Sequence, residues 1–332
     1  MERRLKFGIL GYGRFAERAI GPAIRESHRA EFVALQKRSL PEAKEKARDV
    51  GVPFAFDTVA DLVRCPDVEA VFIVSVNSAH CPETVAAAEA GKHVLVEKPM
   101  ALTVAEAERM IDACRKNRVK LSVGHMVRLS PAIRRVRELI VSGRYGPVSF
   151  ARADFSYNGK QSHRPWLRDM RTAGGGPLFD IGVHCLDTLR YLVGDEIASI
   201  RAHLEPLPTA ETTESTANLS LRFSRGTLGS VYCSYESSVR RRYLEVVCRD
   251  AVISVPEFTA NNEKLAVNIV KGNGDLPSDR ATEKFGGVNL YAREIDLFAE
   301  AILNDGEYEL TGENGLRNMR ILEETLRVAR QD

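Results

Sequence analysis

The stretch Lys6-Phe-Gly-Ile-Leu-Gly-Tyr-Gly-Arg-Phe-Ala16 decides how the first half of this chain folds. It opens with a short apolar run without helical spacing, which predicts a buried parallel strand. A glycine-rich turn and a helix-like segment follow directly. Gly11 permits a tight turn, Gly13 lets the backbone approach a pyrophosphate, and Ala16 lets the helix lie close to its strand. This is the Gly-x-Gly-x-x-Gly/Ala pattern of a dinucleotide-binding fold, and its place between strand and helix favours nucleotide binding over a plain turn.

The helix after this turn is well placed to bind phosphate. Its N-terminus offers N–H groups without a helical partner and the positive end of the helix dipole. We therefore expect a dinucleotide cofactor to be contacted by the residues of the turn and of the first helical positions: Gly11, Tyr12, Gly13, Arg14 and Phe15.

The composition indicates a globular protein and excludes several functional classes. The chain has 332 residues, 44% of them hydrophobic and 28% charged, which is enough for about two domains with buried cores. The formal net charge of +2 gives no global field that would favour nucleic acid or an anionic membrane. No apolar run approaches the length of a transmembrane helix. The six cysteines show no metal-binding spacing, so we expect a cytoplasmic protein without a structural metal.

The end of the second predicted strand, Glu31–Leu35, bears on the identity of the cofactor. In an NAD-binding fold an acidic residue at this place binds the ribose 2′-hydroxyl. Here the strand runs into Gln36-Lys37-Arg38-Ser39, which has no carboxylate. Arg38 can stack on adenine and pair with a 2′-phosphate, while Lys37 and Ser39 add donors. The loop favours NADP(H), with NAD(H) as the alternative, although a solvated loop with two cations has the same appearance.

Further apolar runs, separated by predicted helices, complete a doubly wound parallel sheet of six strands. These runs are Pro53–Phe56, Val68–Val76, His93–Val96 and Lys120–Gly124. We therefore expect a Rossmann dinucleotide-binding domain over residues 1–124.

Polar side chains that directly follow a strand face the ligand crevice of such a sheet. Ser75, Asn77 and His80 follow the third apolar run and are candidate contacts to the nicotinamide side of the cofactor. For His80, capping or packing at the next predicted helix, Glu83–Ala90, is an equal alternative. Glu97-Lys98-Pro99 ends a later strand, and the proline holds Lys98 in a fixed pose near the cofactor, in preference to a surface role. His125 lies at the end of the last strand.

The second half of the chain is rich in strands with short connections, which predicts an antiparallel sheet. After a helix over Ala132–Ser142, we expect strands at Pro147–Tyr157, Ile197–Leu204, Ser215–Phe223, Thr227–Ser234, Leu244–Val247 and Leu265–Val270. The predicted fold class is α/β for the first domain and α+β, with a mainly antiparallel open-faced sheet, for residues 125–332. The C-terminal helices of this second part are able to pack back on the first domain.

One helical stretch interrupts these strands and carries a polar cluster. It begins after Gly174-Gly-Gly176-Pro177, with proline suited to a helix start. Asp180, His184 and Asp187 have the spacing i, i+4, i+7 and share one helical face. The cluster is either a polar stripe on a buried helix or a histidine oriented by carboxylates for proton transfer. Trp166, the only tryptophan, is a candidate stacking platform for a sugar, with packing as the alternative.

Two of these motifs resemble those of a known family. The glycine turn and Ala90-Gly-Lys-His-Val-Leu-Val-Glu-Lys-Pro99 are similar to the Gfo/Idh/MocA oxidoreductases (glucose–fructose oxidoreductase and inositol dehydrogenase). Gly-Gly-Gly-x-x-x-Asp-x-Gly-x-His-x-x-Asp from Gly174 to Asp187 resembles the family's second signature. The departure is Ser75-Val76-Asn77, where relatives usually carry Thr-Pro-Asn. The likeness spans nearly the whole chain, including the segment Gly124–Pro131 that enters the second domain.

The resemblance implies roles for particular residues. Lys98 would lie beside the nicotinamide and the substrate, often before a cis proline, and Glu97 and Arg128 would join the cofactor contacts. Asp180 and His184 would line the substrate site, with His125 and Trp166 as further substrate candidates. We assign Lys98, His184 and Asp180 as catalytic, in an active site between the two domains.

The sequence thus predicts an NADP-dependent oxidoreductase that moves a hydride between the nicotinamide and a carbinol or carbonyl carbon of a sugar, polyol or related small molecule. The alternatives are a redox-neutral hydrolase or lyase on a sugar derivative and a non-catalytic dinucleotide sensor. Partners are small molecules, not nucleic acid or membrane. A homodimer or homotetramer through the C-terminal sheet is expected, with Val231, Tyr232 and Tyr235 on the uncovered sheet face.

Overall fold

The computed structural model describes residues 3–159, 162–272 and 276–331. The chain forms two compact units. The first comprises the residues up to His125 together with Tyr291–Met319, and the second comprises Met126–Leu290 together with the residues from Arg320 onward. No helix among the described residues is long and apolar enough to span a membrane.

The first unit is built on a six-stranded sheet, as the sequence predicts. The strands are β1 (Leu5–Leu10), β2 (Ala30–Gln36), β3 (Phe54–Phe56), β4 (Ala70–Ile73), β5 (His93–Val96) and β6 (Leu121–Val123). Their order is β3-β2-β1-β4-β5-β6, and every pair is parallel. The chain reverses direction across the sheet between β1 and β4, which is where doubly wound sheets bind ligands.

The helices of this unit are α1 (Gly21–Glu26), α2 (Leu40–Asp49), α3 (Val59–Arg64), α4 (Asn77–Glu89) and α5 (Val104–Lys116). A π-helical turn, Ala16–Ile20, precedes α1. The predicted helix at Glu83–Ala90 was too short, because α4 begins at Asn77 and continues through Pro82. Polar residues and a proline in its first two turns gave this part the appearance of a loop.

The second unit contains an eight-stranded sheet. Its strands are β7 (Val148–Asn158), β8 (Ile197–Glu205), β9 (Thr216–Phe223), β10 (Leu228–Ser234), β11 (Glu236–Cys248), β12 (Ala251–Pro256), β13 (Leu265–Gly272) and β14 (Pro277–Phe285). The order is β14-β13-β12-β11-β7-β10-β9-β8. Among the described strands of this second sheet, only β7 and β10 pair in parallel. The sheet is therefore mainly antiparallel, as expected. Strands β12 and β14 were not predicted.

Helices cover one face of this sheet: α6 (Pro131–Val141), α7 (Met170–Ala173) and α8 (Val183–Val193). Strand β9 alternates buried and exposed residues, so every second side chain lies on the open face. The prediction that Val231 and Tyr235 lie on the uncovered face was wrong, because they are 0% and 7% exposed. Tyr232, which points to the opposite side of the same strand, is 38% exposed.

The last two helices are α9 (Leu290–Leu303) and α10 (Gly312–Val328). The segment Tyr291–Met319 belongs to the first unit. Phe298 packs there on Phe7 of β1, with ring centroids 6.4 Å apart, and both rings are fully buried. Asp296 accepts a hydrogen bond from the backbone N–H of Arg29 at 3.0 Å. A late part of the chain thus completes the core of the parallel-sheet unit.

Candidate active site

The glycine turn after β1 has a geometry that only glycine can adopt. Gly11 has a φ of +75°, and a Cβ added there would lie 2.8 Å from the backbone of Ser75. The Tyr12 N–H donates to the carbonyl of Gln36 at 2.8 Å, which fixes the turn to the end of β2. A Cβ on Gly13 would meet only one carbonyl oxygen, at 3.8 Å, so this side of the turn is open. The turn is packed against Ser75 at Gly11 and open at Gly13, and this shape fits the pyrophosphate of a dinucleotide.

The side chains around the turn divide into buried and exposed groups. Tyr12 is 2% exposed and packs on Phe32, so its side chain is not available to a ligand. Arg14 is exposed, and Phe15 is 41% exposed with its ring edge-on to Tyr291. The predicted contacts of this segment therefore reduce to main-chain groups and the two exposed side chains.

The loop after β2 carries two cationic side chains, one close to a carboxylate and the other exposed to solvent. The Gln36 side chain accepts from the Gly11 N–H at 3.1 Å and donates to the carbonyl of Asp57 at 3.0 Å. The Lys37 ammonium lies 3.6 Å from Glu42 and 3.4 Å from the carbonyl oxygen of Tyr12. Arg38 is exposed and forms no ion pair with any described residue. The guanidinium that the sequence proposes for a 2′-phosphate is thus available.

The residues after β4 include one that is hydrogen-bonded to the segment that follows the neighbouring strand β5. Ser75 is half-buried, and Asn77, the first residue of α4, is 4% exposed. The ring nitrogens of His80 lie 2.9 Å and 3.3 Å from the carbonyl oxygens of Pro99 and Ser75. Burial lowers the pKa of His80 to about 4, so its ring is neutral at physiological pH. This supports the packing alternative for His80, which positions the ends of β4 and β5 relative to each other.

Glu83 was missed by the sequence analysis. The Ser75 hydroxyl donates to its carboxyl group at 2.8 Å. Burial raises the pKa of Glu83 to about 7, and the hydrogen bond from Ser75 opposes this effect. The available signal was the i, i+3 spacing from His80, which places both side chains on one face of α4.

Lys98 follows β5, and its peptide bond to Pro99 is cis. Glu97 is 8% exposed, and one of its carboxyl oxygens accepts from the Lys98 N–H at 3.2 Å. His125 is 2% exposed, and its Nε2 accepts a hydrogen bond from the Asn318 amide at 3.0 Å. Lys98 is only half-buried and so is the more accessible of these side chains.

In the second unit, the glycine-rich loop before α8 is closely packed. A Cβ on Gly176 would lie 2.0 Å from the carbonyl oxygen of Glu214. The Glu214 carboxyl group accepts from the N–H groups of Gly176 and Leu178 at 2.9 Å and 3.0 Å. The helix predicted from Leu178 begins as a π-helical turn, Leu178–Gly182, before α8. Asp180 lies in the π-helical turn, whereas His184 lies in regular helix.

Asp180 is the centre of a hydrogen-bonded cluster. It accepts from the hydroxyl groups of Tyr157 at 2.9 Å and Tyr235 at 3.2 Å. The guanidinium of Arg164 donates to both of its oxygens, at 3.1 Å and 2.9 Å. Burial and then the charge of Asp180 raise the pKa of both phenols, which therefore remain protonated donors. Tyr157 and Tyr235 were missed by the sequence analysis.

The other members of the predicted polar face have separate environments. Asp187 is 1% exposed and binds Arg128 through two hydrogen bonds, at 2.7 Å and 2.6 Å. The Arg128 guanidinium, predicted to contact the cofactor, also lies over the Tyr191 ring at 5.3 Å. His184 is half-buried, with its ring 6.4 Å from that of Phe155.

Trp166 lies in a short 3-10 turn, Pro165–Arg168. It is half-buried, and its carbonyl oxygen accepts from the Thr172 hydroxyl at 2.7 Å.

A doubly wound sheet with this glycine turn, joined to an open-faced sheet unit, defines a class of NAD(P)-binding oxidoreductases. Residues 5–125 match the model of the oxidoreductase family with an NAD-binding Rossmann fold, GFO_IDH_MocA. Residues 133–254 match the Gfo/Idh/MocA C-terminal domain. The chain belongs to the Gfo/Idh/MocA oxidoreductase family, as the motifs suggested.

Known relatives cover nearly the whole chain. It is 30% identical to 1,5-anhydro-D-fructose reductase of Ensifer adhaerens over 94% of this chain and 92% of the relative. It is 24% identical to D-xylose 1-dehydrogenase [NADP(+)] of Haloarcula marismortui over 94% and 87%. The crystal structure of an aldose–aldose oxidoreductase from Caulobacter crescentus, in complex with glycerol, superposes with a TM-score of 0.86 at 30% identity, covering 99% and 98% of the two chains.

Proposed function

We propose that this protein is an NADP-dependent oxidoreductase that interconverts a carbinol and a carbonyl group of a sugar, polyol or related small molecule. The observation that carries the proposal is the position of Lys98, two residues after β5, at the same carboxyl edge of the sheet as the glycine turn after β1. A half-buried ammonium group at the edge where a dinucleotide binds is suited to a substrate oxygen that gains or loses negative charge.

The cofactor would lie at the open side of the Gly11–Gly13 turn and the start of the helix that follows it, with Arg38 at the 2′-phosphate. When bound, it supplies the hydride acceptor or donor. The preference for NADP(H) is supported by the free Arg38 guanidinium and by Gln36, an amide, at the end of β2. The D-xylose 1-dehydrogenase of Haloarcula marismortui is named for NADP(+), which agrees with this preference.

We propose that Lys98, His184 and Asp180 are the catalytic residues. His184 exchanges the proton of the substrate hydroxyl, because imidazole is the side chain best matched to proton transfer near neutral pH. Lys98 donates a hydrogen bond to the same oxygen and stabilises its developing charge. Asp180 already accepts from Arg164 and two phenols, which supports an orienting role rather than one as a base. The relatives named above support a sugar as the substrate.

The test is a panel of neutral sugars, polyols and their acids, offered with NADP+ and followed at the NADPH absorbance band. Reduction of NADP+ that depends on a sugar or polyol is expected. Release of a changed sugar with no net NADPH, from protein that keeps its cofactor through purification, would instead establish the redox-neutral reaction. Tight cofactor binding with no change in any substrate would establish a sensor.

A homodimer or homotetramer through the open face of the second unit's sheet is part of the same proposal. Leu228 and Tyr232 place apolar surface on that face, 49% and 38% exposed. The ion pairs Arg152–Glu245 at 3.2 Å and Arg241–Asp154 at 3.0 Å involve the neighbouring strands β7 and β11. A face with apolar and paired charged groups suits a self-complementary interface.

A further inference from the structure

A small cavity lies beside Asp180 in the second unit and is lined by hydrogen-bond donors. Its volume is about 50 Å³, and its polar lining includes Tyr157, Ser162, Arg164, Arg168 and Tyr235. One water molecule takes up roughly 30 Å³ in the liquid, so the cavity admits a group of a few heavy atoms rather than a whole sugar.

The charges around this cavity do not cancel. The Arg164 guanidinium is compensated by Asp180. Arg168 donates to the carbonyl oxygen of Gly159 at 3.3 Å, and the Arg240 guanidinium lies 5.3 Å from the centre of the Tyr157 ring. Within residues 3–159, 162–272 and 276–331, no carboxylate forms an ion pair with Arg168 or Arg240. Arg168 therefore lines the cavity without a paired carboxylate, and Arg240 adds a second such charge over the ring of Tyr157, which is one of the lining residues.

The same groups are poorly matched to a neutral hydroxyl. A hydroxyl donates as well as accepts, and it is best bound where an acceptor is free. Here Asp180 already receives hydrogen bonds from Arg164, Tyr157 and Tyr235. Arginine guanidinium groups donate only, and they bind carboxylate and phosphate oxygens in preference to neutral oxygens.

We propose that this cavity and its two uncompensated arginines bind an anionic group of the substrate, a carboxylate or a phosphate ester. The substrate class is then an acidic sugar derivative, an inference that rests on the proposed oxidoreductase function. The charged group lies at the Asp180 cluster, where Arg168 and Arg240 supply the counter-charge.

The experiment compares D-glucose, D-glucuronate and D-glucose 6-phosphate with the wild type and with Arg168→Gln, Arg240→Gln and the double variant. Arg280→Gln is the matched control, because Arg280 is also an exposed arginine, on β14. Two quantities are measured for each pair: kcat/KM with NADP+, and binding of the sugar by calorimetry in the presence of cofactor.

We expect at least one anionic sugar to exceed glucose in kcat/KM by about tenfold or more, and the double variant to remove most of this preference. Arg280→Gln should match the wild type with all three sugars. The anionic sugar with the higher kcat/KM shows whether the cavity binds a carboxylate or a phosphate ester.

The possible failures are distinguishable. Turnover of glucose that equals or exceeds that of both anions overturns the anionic-substrate inference and leaves the proposed function intact. Arginine-dependent binding of an anionic sugar without any turnover supports the inference and overturns the proposed function. If neither anion binds more tightly than glucose, the cavity has no such role.

Discussion

Arg164 binds Asp180 through both of its terminal nitrogens, Nη1 to Oδ1 at 3.1 Å and Nη2 to Oδ2 at 2.9 Å. The carboxylate is 5% exposed, whereas the guanidinium is 43% exposed, so the compensating charge reaches a buried anion from the solvent side. Since arginine keeps its proton in proteins, the guanidinium supplies a fixed positive charge beside this carboxyl group. The two phenols complete the set of hydrogen-bond donors around it.

Removing Arg164 should therefore lower the stability of the folded chain. Arg164→Gln leaves a buried carboxylate with only phenol donors, and we expect a loss of about 1–3 kcal/mol in the free energy of unfolding, since solvent screens part of the pair. Thermal unfolding measures the loss, and Arg164→Gln combined with Asp180→Asn should recover part of it. Arg171→Gln, which breaks the exposed pair with Asp169, is the control and should cost less than about 1 kcal/mol. Equal losses of stability in Arg164→Gln and Arg171→Gln would contradict the role given to Arg164.

The catalytic assignment predicts large losses of rate without loss of cofactor binding. Lys98→Ala and His184→Ala should each lower kcat by about 10²–10⁴ while NADPH still binds, as monitored by its fluorescence. The combined loss should be smaller than the product of the two if both residues serve the same substrate oxygen. Lys116→Ala and His203→Ala, at exposed positions, are the controls. Near-normal turnover by both folded single variants would remove Lys98 and His184 from the mechanism.

Arg38 should govern the choice of cofactor. The wild type should prefer NADP(H) to NAD(H), and Arg38→Ala should weaken NADP(H) binding by about ten- to a hundredfold while leaving NAD(H) nearly unchanged. Fluorescence titration with both reduced cofactors measures this difference. Arg48→Ala, an exposed arginine on α2, should keep the wild-type preference. An equal affinity of the wild type for the two cofactors would refute the argument from this loop.

Glu83 should make stability depend on pH. Its pKa is about 7 in the folded chain, against a usual value of 4.5. Between these values the folded state holds a proton that the unfolded state has lost, so this contribution to stability falls as the pH rises and is constant above about pH 7. Glu83→Gln should therefore exceed the wild type by about 2–3 kcal/mol near pH 8 and by little near pH 5. Thermal unfolding across this range tests the effect, with Glu89→Gln as the exposed control on α4.

The oligomer prediction depends on the open sheet face. Light scattering at micromolar protein should show a dimer or tetramer, and Tyr232→Arg should shift it towards the monomer, because a desolvated charge would lie in the interface. Val141→Arg, at a site 67% exposed near the end of α6, is the control. A monomeric wild type would rule out this interface.

Much of the fold could be predicted because its signals are local. The strand and turn around Gly11 and the period-two pattern of β8 and β9 lie in short stretches of sequence. Strand β14 was missed because it lies at the sheet edge and almost all of its residues are exposed, so it has no alternating pattern. The parallel pairing of β7 with β10 joins strands far apart in sequence, and no turn signal records it.

The candidate site was predictable only where its residues lie in one motif. Asp180 and His184 share a short helical stretch, so their spacing singled them out. The partners of Asp180 come from β7, the residue before a 3-10 turn and the residue between β10 and β11, and only tertiary structure brings Tyr157, Arg164 and Tyr235 to one carboxylate. Glu83 was missed for a different reason: its only sequence signal was the i, i+3 spacing from His80, and this signal required α4 to begin at Asn77 rather than at Glu83.

The return of Tyr291–Met319 to the first unit has a consequence for synthesis on the ribosome. The strand that carries Phe7 is translated long before its aromatic neighbour Phe298, with the whole stretch Met126–Leu290 of the second unit in between. Until then the nascent chain exposes an apolar surface that its own later residues must cover. The core of the parallel-sheet unit therefore stays incomplete while the intervening residues of the second unit are translated, and nascent-chain chaperones can bind it during that interval.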